Sequence, residues 1–183
     1  MALIAVGIKL TSKGPIIFSQ KRIGKNGKVF TIYKFRTMYV GAHKDKDKFL
    51  DLNEADGPVF KIRDDPRFVG IGKFLARTGL DELPQLWNVI RGEMSLVGPR
   101  PLPVDERARL PLWQRERERT LPGITSSWVV NGHHNVSFKD WMRSDLDYIE
   151  NQSLVDDLQI LAKTFWMMVK LLIGWLVKIP GSS

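Results

Sequence analysis

Apolar residues on either side of a tight-turn signal predict a β-hairpin near the start of the chain. Two β-rich runs, IIFSQ and VFTIYKF, flank the tetrapeptide KNGK within residues 16–38. Its central residues, Asn26 and Gly27, suit the positive φ angles of a primed turn, which matches the twist of paired strands. We therefore expect two antiparallel strands in residues 16–38.

Two stretches after the hairpin carry apolar residues at helical spacing. The first, residues 67–77, is followed by Gly79 as a helix stop, and its apolar face consists of Phe68, Ile71, Phe74 and Leu75. The second begins near Asp81 and ends before Gly92, with an apolar face of Leu83, Leu86, Trp87 and Ile90. Pro84 is tolerated there because it lies in the first turn, where no backbone N–H is needed.

Helices are also predicted in the second half of the chain. Residues 111–120 contain the run RERER and are expected to form a charged helix that faces solvent. Residues 137–150 indicate another helix. The stretch 158–177 is almost wholly apolar, with Lys163, Lys170 and Lys178 grouped on one side.

This last stretch is expected to lie along a membrane surface, because aromatic residues and long lysine side chains suit the headgroup region. A terminal helix packed on the core is the alternative. No apolar stretch reaches the about 20 residues that a spanning helix needs, so no simple membrane crossing is predicted. The predicted fold is α+β and mainly helical, with a small β-hairpin or sheet, a helical core and interfacial amphipathic helices.

Composition narrows the class of protein without deciding its partner. The chain of 183 residues can bury one sizeable core. Its formal net charge of +8 favours polyanions, which include nucleic acid, an anionic bilayer and a pyrophosphate-bearing substrate. The lack of cysteine excludes disulfides and thiolate metal sites.

An acidic pair, Asp81 and Glu82, falls where the second helix is predicted to begin. The positive end of the helix dipole would keep a carboxylate there ionised and close to a natural phosphate site, which suits attack at phosphorus. An acidic pair at a helix start is, however, usually a cap. Both interpretations stay open on this pair alone.

Three cationic side chains could contact phosphate. Arg100 lies between two prolines in the segment SLVGPRP, and a restrained guanidinium binds phosphate oxygens well. An ordinary proline-rich turn with an exposed arginine is the alternative. Lys34 and Arg36 on the hairpin add further charge, although basic residues on a strand edge often serve only to prevent aggregation.

Four runs in the chain resemble the motifs of one family: GP at 14–15 with FSQKRIG at 18–24, YKFRTM at 33–38, DELPQL at 81–86 and SLVGPRP at 95–101. The family is the bacterial sugar transferases, the monotopic phosphoglycosyl transferases that initiate exopolysaccharide, O-antigen, capsule and glycoprotein glycan assembly. The resemblance extends from about residue 9 to the C-terminal helix.

The resemblance implies a transferase with a covalent intermediate and Mg²⁺ as cofactor. In the family, the aspartate of the Asp-Glu pair, here Asp81, attacks the β-phosphate of a UDP-sugar and releases UMP. Polyprenyl (undecaprenyl) phosphate then accepts the sugar phosphate, a two-step exchange that carboxylate nucleophiles support. Asp81 and Glu82 are expected to hold the Mg²⁺, which would offset the repulsion between carboxylate and pyrophosphate.

The resemblance also implies a substrate-binding set. Arg100 matches the family's phosphate-binding arginine, and Asp145 matches another polar active-site position, although alone it would be interpreted as a solvated helix residue. His133 stands where many members have an arginine and could contact the donor. The predicted substrate-binding residues are therefore Lys34, Arg36, Arg100, His133 and Asp145.

Departures from the family pattern concern recognition of the donor. Leu121 and Val129 replace a basic residue and a glutamine of many members, and the residues at Ser126 and Ser127 also differ from the usual motif. We therefore expect nucleotide-sugar recognition to differ more than the chemistry. A metal-binding role is not expected for His133 and its neighbour His134.

The resemblance implies three parts and a membrane location. Residues 1–12 would be the remnant of an N-terminal re-entrant membrane helix, 13–153 the catalytic domain, and 154–183 an amphipathic helix at the membrane surface. The expected location is the cytoplasmic face of the bacterial inner membrane, with UDP-sugar, polyprenyl phosphate and membrane lipid as partners. The oligomeric state stays open, with a homodimer as one alternative.

A non-enzymatic basic protein that binds membranes or nucleic acid is the alternative function. Net charge and the terminal helix are its only support. Nucleic acid is not expected as a partner, because the sequence contains no recognised nucleic-acid-binding motif.

Overall fold

A computed structural model describes residues 1–131 and 137–177. The prediction of a mainly helical α+β fold is confirmed. The strands are β1 Ile17–Ile23, β2 Val29–Phe35, β3 Ser95–Val97 and β4 Gly123–Thr125. The α-helices are α1 Ala2–Thr11, α2 Gly72–Thr78, α3 Leu86–Ile90, α4 Val104–Ala108, α5 Leu112–Arg115, α6 Ser127–Val130, α7 Phe138–Asn151 and α8 Leu154–Val177.

The predicted hairpin is confirmed, with its primed turn. β1 and β2 pair antiparallel from Ile17 opposite Phe35 to Ile23 opposite Val29. Asn26 and Gly27 have φ angles of 56° and 73°, and the Lys28 N–H donates to the Lys25 carbonyl at 3.2 Å. β2 buries Phe30, Ile32 and Phe35, which belong to two different groups of core residues.

The helix predicted for residues 67–77 is shorter than expected. α2 begins at Gly72, because the preceding residues pair with the chain after the hairpin: Phe68 forms a bridge with Met38, and the Val69 N–H donates to the Thr37 carbonyl at 3.1 Å. The predicted stop is confirmed, since Gly79 follows the helix at a φ of 74°.

The helix predicted from Asp81 is divided in two. Residues Leu80–Gln85 form a 3₁₀ segment, and α3 follows directly. Pro84 accounts for the tighter first half, because it has no N–H to donate to the carbonyl four residues earlier. The dipole of a long helix therefore does not act on Asp81.

A second sheet of two parallel strands supports the segment that carries Arg100. β3 pairs with β4 through Ser95 opposite Gly123 and Val97 opposite Thr125. The two chains approach closely: a Cβ added at Gly123 would lie 2.2 Å from the backbone nitrogen of Gly98. The segment after β3 is therefore held against β4 by backbone contact.

Within residues 1–131 and 137–177, the core contains three groups of buried apolar residues. One joins α1, β2 and α2 through Ile8, Phe35 and Leu75. A second lies beneath the hairpin, and the third holds α7 to the middle of the chain. The second group is Phe30, Ile32 and Met94, and the third is Leu102, Leu110, Phe138, Trp141 and Met142.

The prediction for residues 111–120 is partly wrong. These residues form α5 and a 3₁₀ segment, Glu116–Arg119, but Arg117 in the RERER run is buried. Its guanidinium forms an ion pair with Asp145 on α7, with 2.8 Å between Nε and Oδ2. The helix predicted for 137–150 is confirmed as α7, with Ser137 accepting from the Asp140 N–H as the cap.

α8 corrects the expectation that no helix could cross a membrane. Over Leu154–Trp175 it is long and apolar enough to do so, judged on length and composition. One side of α8 packs on the domain, where Trp175 meets Phe74 edge to face at 5.4 Å. Another side leaves Phe165, Trp166 and Ile173 exposed. Its predicted orientation in the headgroup plane stays a prediction.

Candidate active site

The acidic pair is fixed against the hairpin by the elements around it. The left-handed Gly79 turns the chain from α2 into the 3₁₀ segment, which packs on β2. Asn88 on α3 is fully buried, and its side-chain amide donates to the Thr31 carbonyl at 2.7 Å and accepts from the Tyr33 N–H at 3.3 Å. These bonds tie the helical segment to the strand that carries Lys34.

Lys34, Asp81, Glu82 and Arg100 form one group, which we call the carboxylate–cation cluster. The Lys34 Nζ lies 2.5 Å from Glu82 Oε1 and 3.8 Å from Asp81 Oδ2. Arg100 Nη1 lies 3.4 Å from the same Glu82 oxygen. The structure thus brings together the predicted nucleophile, its acidic neighbour and two predicted phosphate ligands.

The two carboxyl groups of the cluster have opposite pKa shifts. Burial raises the pKa of Asp81 to about 6, although the Lys34 and Arg100 charges oppose this and Glu82 adds to it. Burial also acts to raise the pKa of Glu82, but Lys34 and Arg100 outweigh it and lower that pKa to about 2. Glu82 is therefore the carboxyl group that the surrounding charges stabilise more as an anion, and Asp81 is the one that they stabilise less.

The cluster lies in a large cavity of about 1760 Å³. Its polar part contains Asp81, Glu82, Lys34 and Arg100. Towards α8 the lining becomes mostly apolar, with Ile124, Met167, Met168, Leu171 and Trp175, although Thr164 and Lys170 of the same helix also line it. The cavity can therefore hold a charged group at the acidic pair while an apolar chain lies beside α8.

Two other side chains that were predicted to bind the substrate, Arg36 and Asp145, are bonded to groups within the protein. The Arg36 guanidinium is buried and donates to the carbonyls of Pro15, Ser12 and Met38 at 2.5, 3.2 and 3.4 Å. Asp145 is buried against Arg117 and lies outside the described lining of the large cavity. These contacts favour structural roles, and their predicted substrate contacts stay predictions.

Apart from Leu121, the departures from the family pattern lie at α6 and in the residues that follow it. His133 and His134 lie outside the described residues. Ser126 caps α6 by accepting from the Val129 N–H at 3.3 Å. Val129 itself lines the large cavity, so one of the departures from the family pattern does face the site.

Sequence reasoning missed two polar residues beside the cluster. Arg22 on β1 donates from Nη1 to the Pro101 carbonyl at 3.0 Å, and Gln85 lies at the end of the 3₁₀ segment. Both line a small cavity together with Lys34, Glu82 and Arg100. The FSQKRIG and DELPQL runs contain these residues, but no local pattern indicates that they face the acidic pair.

The donor set of the acidic pair is compatible with Mg²⁺. Within the described residues, no group of three or more His, Asp or Glu side chains is arranged to hold a metal ion. Mg²⁺ is commonly held by one or two carboxylates, with substrate phosphates and water completing its coordination. Asp81 and Glu82 therefore fit a metal that arrives with a phosphate substrate.

Comparison with known proteins matches the chain to one family. A family model described as bacterial sugar transferase matches residues 1–171. The chain is 45% identical over 152 residues to "Galactosyl transferase CpsE" of Streptococcus agalactiae, a match that covers 82% of the chain and 34% of CpsE. Over 159 residues it is 38% identical to "Undecaprenyl-phosphate galactose phosphotransferase" of Salmonella typhimurium, covering 82% of the chain and 33% of that protein.

A shorter relative is covered more fully. The chain is 40% identical over 170 residues to "Exopolysaccharide production protein ExoY" of Sinorhizobium fredii, a match that covers 88% of the chain and 74% of ExoY. The chain thus spans about a third of the length of some curated relatives and about three quarters of another.

Proposed function

The chain belongs to the bacterial sugar transferase family, and from this premise we propose that it transfers a sugar phosphate from a UDP-sugar to polyprenyl phosphate. The single observation that carries the proposal is the carboxylate–cation cluster. It places a buried carboxylate, Asp81, beside two cations at the polar part of a large cavity. A relative named undecaprenyl-phosphate galactose phosphotransferase supports the choice of acceptor.

In the first step, an oxygen of the Asp81 carboxylate attacks the β-phosphorus of the UDP-sugar. A new oxygen–phosphorus bond forms while the bond to the bridging oxygen breaks, and UMP leaves with the electron pair. In this proposal Lys34 and Arg100, which lie at the acidic pair, offset the charge of the phosphoryl oxygens. Mg²⁺ held by Asp81 and Glu82 would supply further neutralisation of the pyrophosphate.

In the second step, a phosphate oxygen of the polyprenyl phosphate attacks the same phosphorus. The bond between phosphorus and Asp81 breaks, which restores the carboxylate and leaves the sugar joined to the lipid by a diphosphate. Glu82, whose pKa is lowered to about 2, stays ionised in both steps and holds Lys34 and Arg100 in place.

The acceptor is proposed to approach along α8. The apolar part of the large cavity is lined by one side of this helix, while Phe165 and Trp166 on another side are exposed. A helix with both properties suits the boundary between a lipid phase and the site. We place this boundary at the cytoplasmic face of the bacterial inner membrane, where a UDP-sugar is accessible.

The first test is release of UMP from a panel of UDP-sugars, with Mg²⁺ and polyprenyl phosphate. We expect at least one donor to be consumed and its sugar phosphate to appear on the lipid. No UMP from any donor, together with salt-sensitive binding to anionic vesicles or DNA, would instead support the non-enzymatic basic protein.

The pH dependence of UMP release should report the ionisation of Asp81. Since burial raises the pKa of Asp81 to about 6, the reactive carboxylate is mostly protonated at acidic pH and becomes available as pH rises through that value. We expect kcat/KM to rise about tenfold between pH 5 and pH 7, with its half-point near 6.

Lys34→Met provides the control for this assignment. The Lys34 charge lowers the pKa of Asp81. Its removal should therefore move the half-point of the pH profile to higher pH. A profile that is flat between pH 5 and 7, or that does not move in Lys34→Met, contradicts Asp81 as the group that titrates.

Gly174→Phe tests the proposed acceptor route. Gly174 lines the large cavity, and a Cβ at this position would meet no atom within 4 Å, so a phenyl ring can occupy the space proposed for the lipid chain. We expect UMP release in a single turnover without acceptor to be unchanged, and transfer to polyprenyl phosphate to slow by about tenfold or more.

Ala162→Phe, at an exposed position of the same helix outside the cavity lining, is the matched control and should affect neither step. Equal transfer rates for the two variants would show that the lipid does not use this route.

A further inference from the structure

A second, much smaller cavity adjoins the carboxylate–cation cluster. It has a volume of about 10 Å³ and is lined by five polar residues, Arg22, Lys34, Glu82, Gln85 and Arg100, together with apolar and backbone groups. This volume is close to that of one water-sized sphere, so the cavity has room for about one oxygen atom. Arg22, Lys34, Glu82 and Arg100 also line the large cavity, so the two cavities share these four polar side chains as a wall.

Two buried donors of this lining have no hydrogen-bond acceptor among the described residues. The Gln85 side chain is 2% exposed, and its Nε2 is buried without a partner. The Nε of Arg22 is likewise buried without a partner, although Nη1 of the same guanidinium is bonded to the Pro101 carbonyl. Buried donors are nearly always paired in folded proteins, so two of them beside one cavity indicate a ligand that accepts hydrogen bonds.

The charge around the cavity favours an anion over water. Three cations, Arg22, Lys34 and Arg100, line it against one carboxylate, Glu82. Burial first, and the neighbouring Arg100 charge second, lower the pKa of the Arg22 guanidinium to about 10. Glu106, Glu82 and Asp105 act against the repulsion between Arg22 and Arg100, but the Arg22 pKa is lowered all the same. A water molecule would accept the hydrogen bonds without adding negative charge, whereas an anionic oxygen would also offset the remaining repulsion.

We propose that this cavity binds one anionic oxygen of the phosphoryl group being transferred, and that Arg22 and Gln85 are therefore substrate-binding residues. The identity of that phosphoryl group rests on the proposed function, because the cavity shares Lys34 and Glu82 with the site of Asp81. The Arg100 side chain is 37% exposed, against 15% for Lys34 and 18% for Glu82, so the oxygen would enter the cavity beside Arg100.

Gln85→Met is the direct test, because methionine keeps the length of the side chain and removes its donors. Loss of a buried hydrogen bond to an anionic oxygen should reduce kcat/KM for UMP release by about 10-fold to 100-fold. Binding of inorganic pyrophosphate, measured by calorimetry on the full chain, should weaken by about tenfold. Unchanged values in both measurements would overturn the proposal.

Gln85→Glu tests whether the cavity binds an anionic oxygen or a water molecule. A water molecule can turn and donate to a carboxylate, so a water-filled cavity predicts activity above that of Gln85→Met. An anionic oxygen is repelled by the new charge, so the proposal predicts activity and pyrophosphate binding below those of Gln85→Met. Activity of Gln85→Glu above that of Gln85→Met would overturn the proposal, and activity below that of Gln85→Met supports it.

Gln114→Met is the matched control for loss of a buried glutamine. Gln114 is also buried, and its Oε1 has no partner among the described residues, but it lies on α5 outside both cavities. This variant should leave UMP release and pyrophosphate binding unchanged, and an equal loss in it would assign the Gln85 effect to packing.

Arg22→Lys supplies a second measurement, since lysine keeps the charge but not the Nε donor. It should weaken pyrophosphate binding and retain more activity than Arg22→Met. Failure of the proposed function would be distinct: the wild-type chain would release no UMP, while pyrophosphate binding would still depend on Arg22 and Gln85.

Discussion

Replacement of Asp81 by asparagine is expected to lower UMP release by at least about 1,000-fold, because the amide cannot form the bond to phosphorus. The side chain is nearly isosteric, so the contacts of the 3₁₀ segment should be preserved. The measurement is UMP release at saturating donor, together with mass spectrometry of the protein for the trapped sugar phosphate. Wild-type protein should gain that mass in the absence of acceptor, and Asp81→Asn should not.

The stability of Asp81→Asn should be equal to or higher than that of wild type at pH 7. Burial raises the pKa of Asp81, which means that folding disfavours its ionised form, and the neutral amide removes this cost. A large loss of activity with an unchanged or raised Tm therefore identifies a chemical role rather than a structural one.

Asp105→Asn is the matched control, because Asp105 also lines the large cavity but its side chain is 57% exposed and pairs with Lys46. Its activity should stay within a few-fold of wild type. If Asp81→Asn retained activity within tenfold of Asp105→Asn, the nucleophile would have to be another group.

The variant Arg117→Met should lower the free energy of unfolding by about 3 to 5 kcal/mol, because it leaves the Asp145 carboxylate buried without its partner. Arg117 and Asp145 are 5% and 1% exposed, so water cannot take the place of the guanidinium. The measurement is chemical denaturation at pH 7. The exposed pair Arg143 and Asp140 offers a control, since Arg143→Met should change stability by less than about 1 kcal/mol.

The loss in Arg117→Met should shrink at lower pH. Burial raises the pKa of Asp145 and Arg117 lowers it, so removal of Arg117 moves that pKa further up. A raised folded pKa penalises the folded state fully above that pKa and not at all below the unfolded pKa, so stability should recover as pH falls from 7 to 5. The double variant Arg117→Met/Asp145→Leu should be more stable than Arg117→Met at pH 7.

These stability measurements also bear on the predicted active-site role of Asp145. If Asp145→Asn loses activity only as far as it loses folded protein, the residue acts through the fold. A loss of kcat/KM in fully folded Asp145→Asn would instead support the contact that the family resemblance implies.

Local patterns predicted those elements whose geometry is set within a few residues. The Asn26-Gly27 pair fixes the hairpin turn through backbone angles that most other residues avoid, and Ser137 caps α7 through its own side chain. The start of α2 was not predictable in this way, because Phe68 is drawn out of the helix by Met38, a residue far from it in the chain.

The burial of Arg117 shows the same limit for charge. The alternating charges of the RERER run are typical of a helix face that is exposed to solvent. Only the packing of α7 brings Asp145 against Arg117. The carboxylate–cation cluster was anticipated through the family motifs rather than through charge patterns. Arg22 and Gln85 were not anticipated. Their N–H groups are unpaired only because the folded chain excludes water and other hydrogen-bond acceptors from them.

The close contact between the backbones at Gly98 and Gly123 has a consequence for how mutational scans of this protein should be interpreted. A single methyl group at residue 123 would press on the neighbouring chain and displace the segment that leads to Arg100. In a mutational scan, such a substitution would lower activity in the same way as the loss of a reacting group, although glycine itself has no side chain. Position 123 therefore needs a glycine, because the segment that leads to Arg100 occupies the space that a side chain would fill.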